Sequence, residues 1–433
     1  MDGPSWLQTY ASKMNRPLRN KVRHIHASGN PSAAIRVIIQ LKRRVTPARL
    51  NALQQHTGSL PLPIIRRLPL IRSVASNVSM PCLERMCSWN GIGKIYLDGI
   101  KKTSLYIATP SIGATAVRRK TGLTGKGINI AVIDTGVYPH PDLTRPVNRI
   151  VAFKDWIHGR KKPYDDNGHG THIAGDCAGN GWESKGIYRG PAPEAGIVGV
   201  KVLDRQGSGY DSTIIKGIEW CILHRRRLKL RILSMSLGGP VNTVCSDDPL
   251  CQAVEKAVRA GLVAVIAAGN SGPGRRTIES PGSAPSAITV GAVDDHRSIR
   301  QADDSVMWYS SRGPARGGRS KPDLVAPGET IVSLRAPGSV LDREYPYLRV
   351  GHDYFILSGT SISTPLVSGA AAQLLQRYPS LSPRQVKAAL KKNAFRLGLG
   401  PNVAGSGIVN VRFLLNQRNP RSKRRPSKGW VSK

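Results

Sequence analysis

The sequence predicts an α/β protein built on a mostly parallel sheet covered by helices on both faces, with a small α+β unit ahead of it. Three observations carry this. Short apolar runs rich in β-branched residues, "INIAVID", "GIVGVKVL", "LRILSMSLGG", "LVAVIAAGN" and "AITVGAV", recur between about 110 and 415, with helical stretches between them. Strands buried on both faces read as near-continuous apolar runs, and intervening helices give parallel crossovers. Ahead of them, residues 34–108 alternate strand-like and helix-like segments on a smaller scale. Finally, 433 residues at 40% hydrophobic content suffice for one large core and a small second one.

Residues 1–33 are polar and basic without clear periodicity and read as an N-terminal extension. "AIRVIIQLK" then opens a strand, and "TPARLNALQQH" starts a helix with Thr46 as N-cap and Pro47 at its first position. "LIRSVASNVS" alternates like a strand, "MPCLERMCSWNG" is a short helix and "IGKIYLDG" a last strand. Such a strand–helix–strand–strand–helix–strand order packs both helices on one face of an antiparallel, ferredoxin-like sheet. In the larger region, 109–415, the helix at 211–224 takes Asp211 as N-cap and aligns Ile214, Ile218, Cys221 and Ile222 on one face. The next, "DPLCQAVEKAVRAG", stops at Gly261. Residues 416–433 form a basic tail, expected to be solvated and disordered.

The formal net charge of +37 invites polyanion binding, since lysine and arginine displace counterions from phosphate. The basic residues are nevertheless spread along the chain, without aromatic interleaving or a nucleic-acid module. The dense connection "HRRRLKLR" at 224–231 reads as a solvated loop edge. No run of 18 apolar residues spans a membrane, and the first thirty residues lack the apolar core of a secretory signal. A cytoplasmic location with reduced thiols is therefore expected, leaderless export being the other route. Six cysteines show no CxxC pair; Cys245 and Cys251 are the pair best spaced for a disulfide in an exported protein.

In an open parallel sheet, reactive groups gather where strands end. "AVIDTGV" puts Asp134 at such an end, where by itself it reads as a turn cap. "DDNGHGTHIAGDCAG" places His169 at a glycine-flanked helix entry; His172, three residues on, lacks further ligands for a metal. "VIAAGNSGPG" ends another strand with Asn270 in a turn, and "SGTSISTPLVSGAAAQLLQ" leads small residues into an apolar helix, with Thr364 and Pro365 as its expected start. Each is ordinary alone. Together they supply an acid, a base, an amide donor and a hydroxyl, the parts of nucleophilic acyl transfer.

The blocks "AVIDTGV", "HPDL", "DNGHGTHIAG", "GPAPEA", "GVKVLDRQGSG", "SMSLGG", "AAGNSGP", "YSSRGP", "KPDLVAPG" and "SGTSISTP" resemble, in this order, the subtilisin-like serine proteases. "TGVYPHPDL", "DDNGHGTH" and "YRGPAPEA" look most like the AprX-type subtilases, a leaderless bacterial branch. The resemblance implies a three-layer subtilisin-like sandwich and a monomeric endopeptidase acting on proteins or peptides. It assigns Ser361 as nucleophile, His169 as general base, Asp134 as its orienting acid and Asn270 as oxyanion donor. Gly207, Ser208, Gly209 and Tyr210, with Ser236, Leu237 and Gly238, match the edges that pair with substrate backbone. Asp165 and Asp166 are weighed as a site for a basic substrate residue, against a broad, largely apolar specificity. Asp142 matches a frequent calcium-ligand position, with the loop "AGNGWESKG" as a carbonyl source; no cofactor is required for catalysis. Residues 34–108 look like the family's inhibitory propeptide, released by self-cleavage within 103–113. The chain departs from the family where Ile362-Ser363 follows the nucleophile in place of Met-Ala: Ile is close to Met in volume, and the Ser363 hydroxyl is expected to cost stability. The reading set against the protease is a polyanion-binding protein on an inactive subtilase scaffold.

Overall fold

The computed structural model describes residues 3–30, 32–98, 105–240 and 243–416. The tail from 417 onward and the first two positions of the 103–113 junction lie outside them. The chain divides into two compact units, Met1–Lys102 and Thr103–Lys433.

In the first unit, strands β1 (Ile35–Leu41), β2 (Ile64–Leu68), β3 (Ser73–Val78) and β4 (Ile92–Leu97) form an antiparallel sheet in the order β2-β3-β1-β4. Helices α2 (Pro47–Thr57) and α3 (Met80–Ser88) start where proline and a side-chain cap coincide, Thr46 accepting from Arg49 N–H and Ser79 from Cys82 N–H. Residues 1–33 are not a free extension. Helix α1 (Arg16–Ala27), capped by Asn15, buries Leu18, Val22 and Ile25 in the same core as Val37, Ile39 and Ile95. Those three sit at i, i+4 and i+7, a helical stripe that the surrounding arginines and histidines obscure in sequence.

In the second unit the main sheet runs β11-β10-β9-β8-β5-β7-β6, with β12 also pairing β10. Its strands are β5 (Asn129–Asp134), β6 (Ile150–Asp155), β7 (Gly196–Lys201), β8 (Leu230–Met235), β9 (Val263–Ala267), β10 (Ile288–Asp294), β11 (Ser305–Val306) and β12 (Leu324–Pro327). Only the β10–β11 pair is antiparallel among them. Alternate residues of β5 enter two cores. Ile130 and Val132 pack with helices α4 (Leu105–Ser111), α5 (Ala114–Thr121), α6 (His169–Ala178), α9 (Thr360–Arg377) and α10 (Pro383–Lys392). Ala131 and Ile133 pack with α7 (Asp211–His224) and α8 (Pro249–Arg259). The period-2 alternation of a strand therefore becomes a three-layer sandwich. The N-cap of α7 is Tyr210, with Asp211 inside the first turn.

Cys245 and Cys251 are joined in a disulfide; Cys82, Cys87, Cys177 and Cys221 are buried free thiols. In the basic connection, Arg225 and Arg231 are not merely solvated. Their guanidinium groups donate to the carbonyls of Ile222, Ala260, Pro379 and Leu381. No helix among the described residues is long and apolar enough to cross a membrane.

Candidate active site

The ends of β5, β7, β8 and β9 and the starts of α6 and α9 open onto one cleft of about 790 Å3, whose walls include His169, Asn270 and Ser361. This is where an open parallel sheet exposes its functional groups. Asp134 closes β5 and is fully buried; its Oδ1 accepts from Thr135 N–H at 2.8 Å and lies 2.8 Å from His169 Nδ1. His169 remains 21% exposed, and its Nε2 has no hydrogen bond among the described residues. Burial pulls the imidazole pKa down, but the Asp134 carboxylate and its hydrogen bond, helped by Asp165 and Asp176, outweigh it and hold His169 above the ordinary histidine value. Helix α6 approaches β5 closely because residue 170 is glycine: a Cβ there would meet Gly136 O at 2.2 Å.

Helix α9 begins earlier than expected, at Thr360, so Ser361 is its second residue and Pro365 lies inside it. An interior proline leaves the carbonyl four residues back unpaired. Here that carbonyl belongs to Ser361, and the Ser236 hydroxyl donates to it at 2.6 Å. The N–H of Ser361 has no partner among the described residues, as expected in a first helical turn. Asn270 faces it with its amide orientation fixed. Oδ1 accepts from Thr360 N–H at 3.0 Å and from its hydroxyl at 3.1 Å, which leaves Nδ2 open. Glu279 holds the turn by accepting from Asn270 N–H at 3.1 Å and from the Ser271 hydroxyl at 2.7 Å. Ser361 and His169 share the cleft wall, and no hydrogen bond ties Ser361 Oγ to the ring; such bonds often tighten only around substrate.

Of the expected substrate edges, Gly207, Ser208, Gly209, Ser236, Leu237 and Gly238 line the cleft. Tyr210 does not, and the residue is 82% exposed to solvent.

The packing speaks against the basic-substrate reading weighed for Asp165 and Asp166, and it corrects the expectations for Asp142 and Ser363. Asp165 is buried, and its two oxygens accept from Thr135, Asn167, Gly168 and both donors of Thr171 at 2.7–3.1 Å. Asp166 is paired with the buried Lys201 ammonium at 2.7 Å. Neither is free for a basic substrate residue. His172 turns away from His169 to Asp176 and the Phe355 carbonyl. Asp142 is fully buried and meets donors, the Tyr354 hydroxyl at 3.0 and 3.3 Å and Glu183 N–H at 3.0 Å. The loop that was to supply carbonyls to a cation supplies N–H groups instead, so these residues do not fit calcium. Nor do the described residues contain a His/Cys/Asp/Glu group arranged for a metal. The Ser363 hydroxyl, expected to cost stability, donates to Ala326 O at 2.9 Å. Gly328 makes room for it, since a Cβ there would lie 2.2 Å from Ser363 Oγ.

Sequence reasoning missed the supports: Thr135, Asp165, Glu279 and Thr360. Thr135 Oγ1 links the two halves by accepting from Gly170 N–H at 2.9 Å while donating to Asp165. The only trace in the sequence is the density of small polar residues around "DDNGHGTH" and "SGTS".

Comparison with known proteins adds an independent line. The model of the subtilase family matches residues 125–424. Serine protease AprX of Bacillus subtilis (strain 168) is 47% identical over 353 residues, covering 80% of this chain and 79% of that protein. Subtilisin Savinase of Lederbergia lenta is 37% identical over 290 residues, 67% of this chain and 91% of that one. Among solved structures, Sphericase aligns with a TM-score of 0.56 at 32% identity, covering 72% of this chain and 100% of that chain. A cold adapted subtilisin-like serine proteinase aligns at 0.51, again with 32% identity, over 66% and 88%.

Proposed function

The chain belongs to the subtilase family and is a subtilisin-like serine protease, and on that premise we propose that Ser361, His169 and Asp134 form its catalytic triad, with Asn270 as oxyanion donor. The observation that carries this reading is the 2.8 Å contact of His169 Nδ1 with a buried carboxylate. It selects the tautomer that leaves Nε2 as a base, in the cleft that Ser361 also lines.

Nε2 takes the Ser361 proton as Oγ bonds to the scissile carbonyl carbon. The charge that develops on the carbonyl oxygen meets Ser361 N–H and Asn270 Nδ2, and the α9 N-terminus favours it further. Collapse expels the amine, which receives the proton from His169, and leaves an acyl-enzyme. Water then repeats the sequence with the same base, releasing the acid and restoring Ser361. Subtilisins need no cofactor for catalysis, and every proton here is carried by a side chain or water.

Substrate backbone adds a strand along 207–209 and 236–238. The first unit is the inhibitory propeptide, removed by the enzyme's own cleavage before Ala108. From Ala108 onward the expected junction is core: Ala108 and Ile112 are buried, and the Thr109 hydroxyl donates to Arg189 O at 2.9 Å. A fluorophosphonate probe labels Ser361, and Ser361→Ala protein stays full length while the native chain shortens. Absence of labelling in mature native protein sinks the triad and supports an inactive scaffold. Normal maturation of purified Ser361→Ala protein sinks self-processing.

A further inference from the structure

A second cavity, of about 520 Å3, opens in the 103–433 unit and shares no lining residue with the first. Arg118 of α5, Arg149, Lys185 and Arg189 line it; the sole lining carboxylate, Glu194, is engaged by the Thr124 hydroxyl. These cations are not equivalent. Arg149 is spent on backbone, donating to the carbonyls of Ala178, Ala195 and Asp142. Arg189 uses Nε on Asn180 O at 2.7 Å. Arg118 is different, because its Nη1 is buried without any hydrogen-bond partner and its guanidinium forms no ion pair among the described residues.

Leaving a buried charged donor unsatisfied is costly, and another cation beside it raises that cost. Burial first, then Arg189 and Arg119, push Arg118 down to about 10, so it is still a cation at neutral pH. An oxyanion in the cavity offsets the repulsion between these cations, and its oxygens suit the parallel donors of a guanidinium fork. Trp182 and Val147, 46% and 67% exposed, add an apolar edge to the cavity.

We propose that this cavity is a binding site for a phosphate-type oxyanion, held by Arg118 and Arg189 with Lys185 supplementing the charge. It gives a local function to a small part of a +37 surplus otherwise spread along the chain.

The test is calorimetric titration of the full chain with inorganic phosphate at constant ionic strength in chloride. Saturable binding at one site is expected, with a dissociation constant on the order of 1 mM, about −4 kcal/mol. Arg118→Gln weakens it at least about tenfold, the loss of roughly one charge-assisted bond. Lys185→Glu, an exposed change that leaves folding intact, weakens it severalfold. Arg226→Glu, an equal charge change on an exposed position outside the cavity, leaves it unchanged. Adenosine monophosphate separates the sources: affinity above that of phosphate, lost in Trp182→Ala, assigns a phosphate carried on an aromatic body, and equal affinity assigns the free anion. The proposal is overturned if the native chain shows no saturable phosphate binding. It is also overturned if Arg118→Gln binds as the native chain does, or if Arg226→Glu weakens binding as much as Lys185→Glu.

Discussion

Asp165→Asn tests the support of the site more sharply than removing a catalytic group. Asp165 accepts five hydrogen bonds at 2.7–3.1 Å, and two of the donors, Gly168 N–H and Thr171 N–H, flank His169. An asparagine placed with its oxygen at Oδ1 keeps the Thr135, Asn167 and Gly168 bonds but loses their charge assistance. Its NH2 then meets Thr171 N–H, donor against donor, while the Thr171 hydroxyl turns to accept. One buried N–H is left unsatisfied, at about 1–3 kcal/mol, and weakening of the remaining bonds brings the total to about 3 kcal/mol. At roughly 2 °C per kcal/mol for a large unit, Tm falls by about 6 °C. The first turn of α6 shifts with the lost bond, and a 1 Å misplacement of a catalytic group costs about 10²-fold in rate. Because Asp165 is buried and does not line the cleft, kcat falls and KM stays near its native value. Calorimetry on inhibitor-blocked protein and steady-state hydrolysis of a peptide anilide read the two effects. Native Tm and kcat would refute the positioning argument. A selective loss of basic substrates at unchanged Tm would instead restore Asp165 as a substrate contact.

Further outcomes are expected. In the proposed mechanism His169 acts only as the neutral imidazole, and its pKa is held above the ordinary 6.5, so kcat/KM rises with pH through a value above 6.5. Asp134→Asn moves that limb down and lowers kcat by about 10⁴. The same pair acts on stability with opposite sign, its contribution being complete below 6.5 and lost as pH rises through the raised folded value, which unfolding at pH 6 and 9 reads. Asn270→Ala lowers kcat by about 10²–10³ with little change in KM, since the amide acts on charge present only in the transition state; an equal rise in KM would contradict this. Tyr354→Phe leaves Asp142 short of its hydroxyl donor and costs about 1–3 kcal/mol in chemical unfolding. Recovery of that loss by added calcium would show that Asp142 serves a cation after all.

Much of the fold is legible because the strands are buried on both faces. Ile130 to Ile133 read as an unbroken apolar run, and such a run between helices has few other homes than a covered parallel sheet. Helix α1 was not legible. Three apolar residues at i, i+4 and i+7 define its buried face, but arginines and histidines around them mask the stripe. The start of α9 lies upstream of the one Pro365 suggests, because proline at the first helical position is a strong local rule and Pro365 obeys a tertiary exception instead. The Ser236 hydroxyl, more than a hundred residues earlier, satisfies the carbonyl that the proline leaves open.

The same division holds at the site. Asp134, His169, Asn270 and Ser361 can be singled out from the sequence because each follows a strand or enters a helix within a dense local motif. Local chemistry of that kind is written in neighbouring residues. What binds them into one arrangement is not. The Thr135–Asp165 bond, the Thr360 grip on Asn270 and the Tyr354 donor to Asp142 all join segments distant in sequence. A carboxylate reads the same in sequence whether it faces a cation, a substrate or an N–H. Only the groups that packing brings within hydrogen-bonding distance of it decide which, and that is why Asp142 and Asp165 took their roles from the tertiary structure alone.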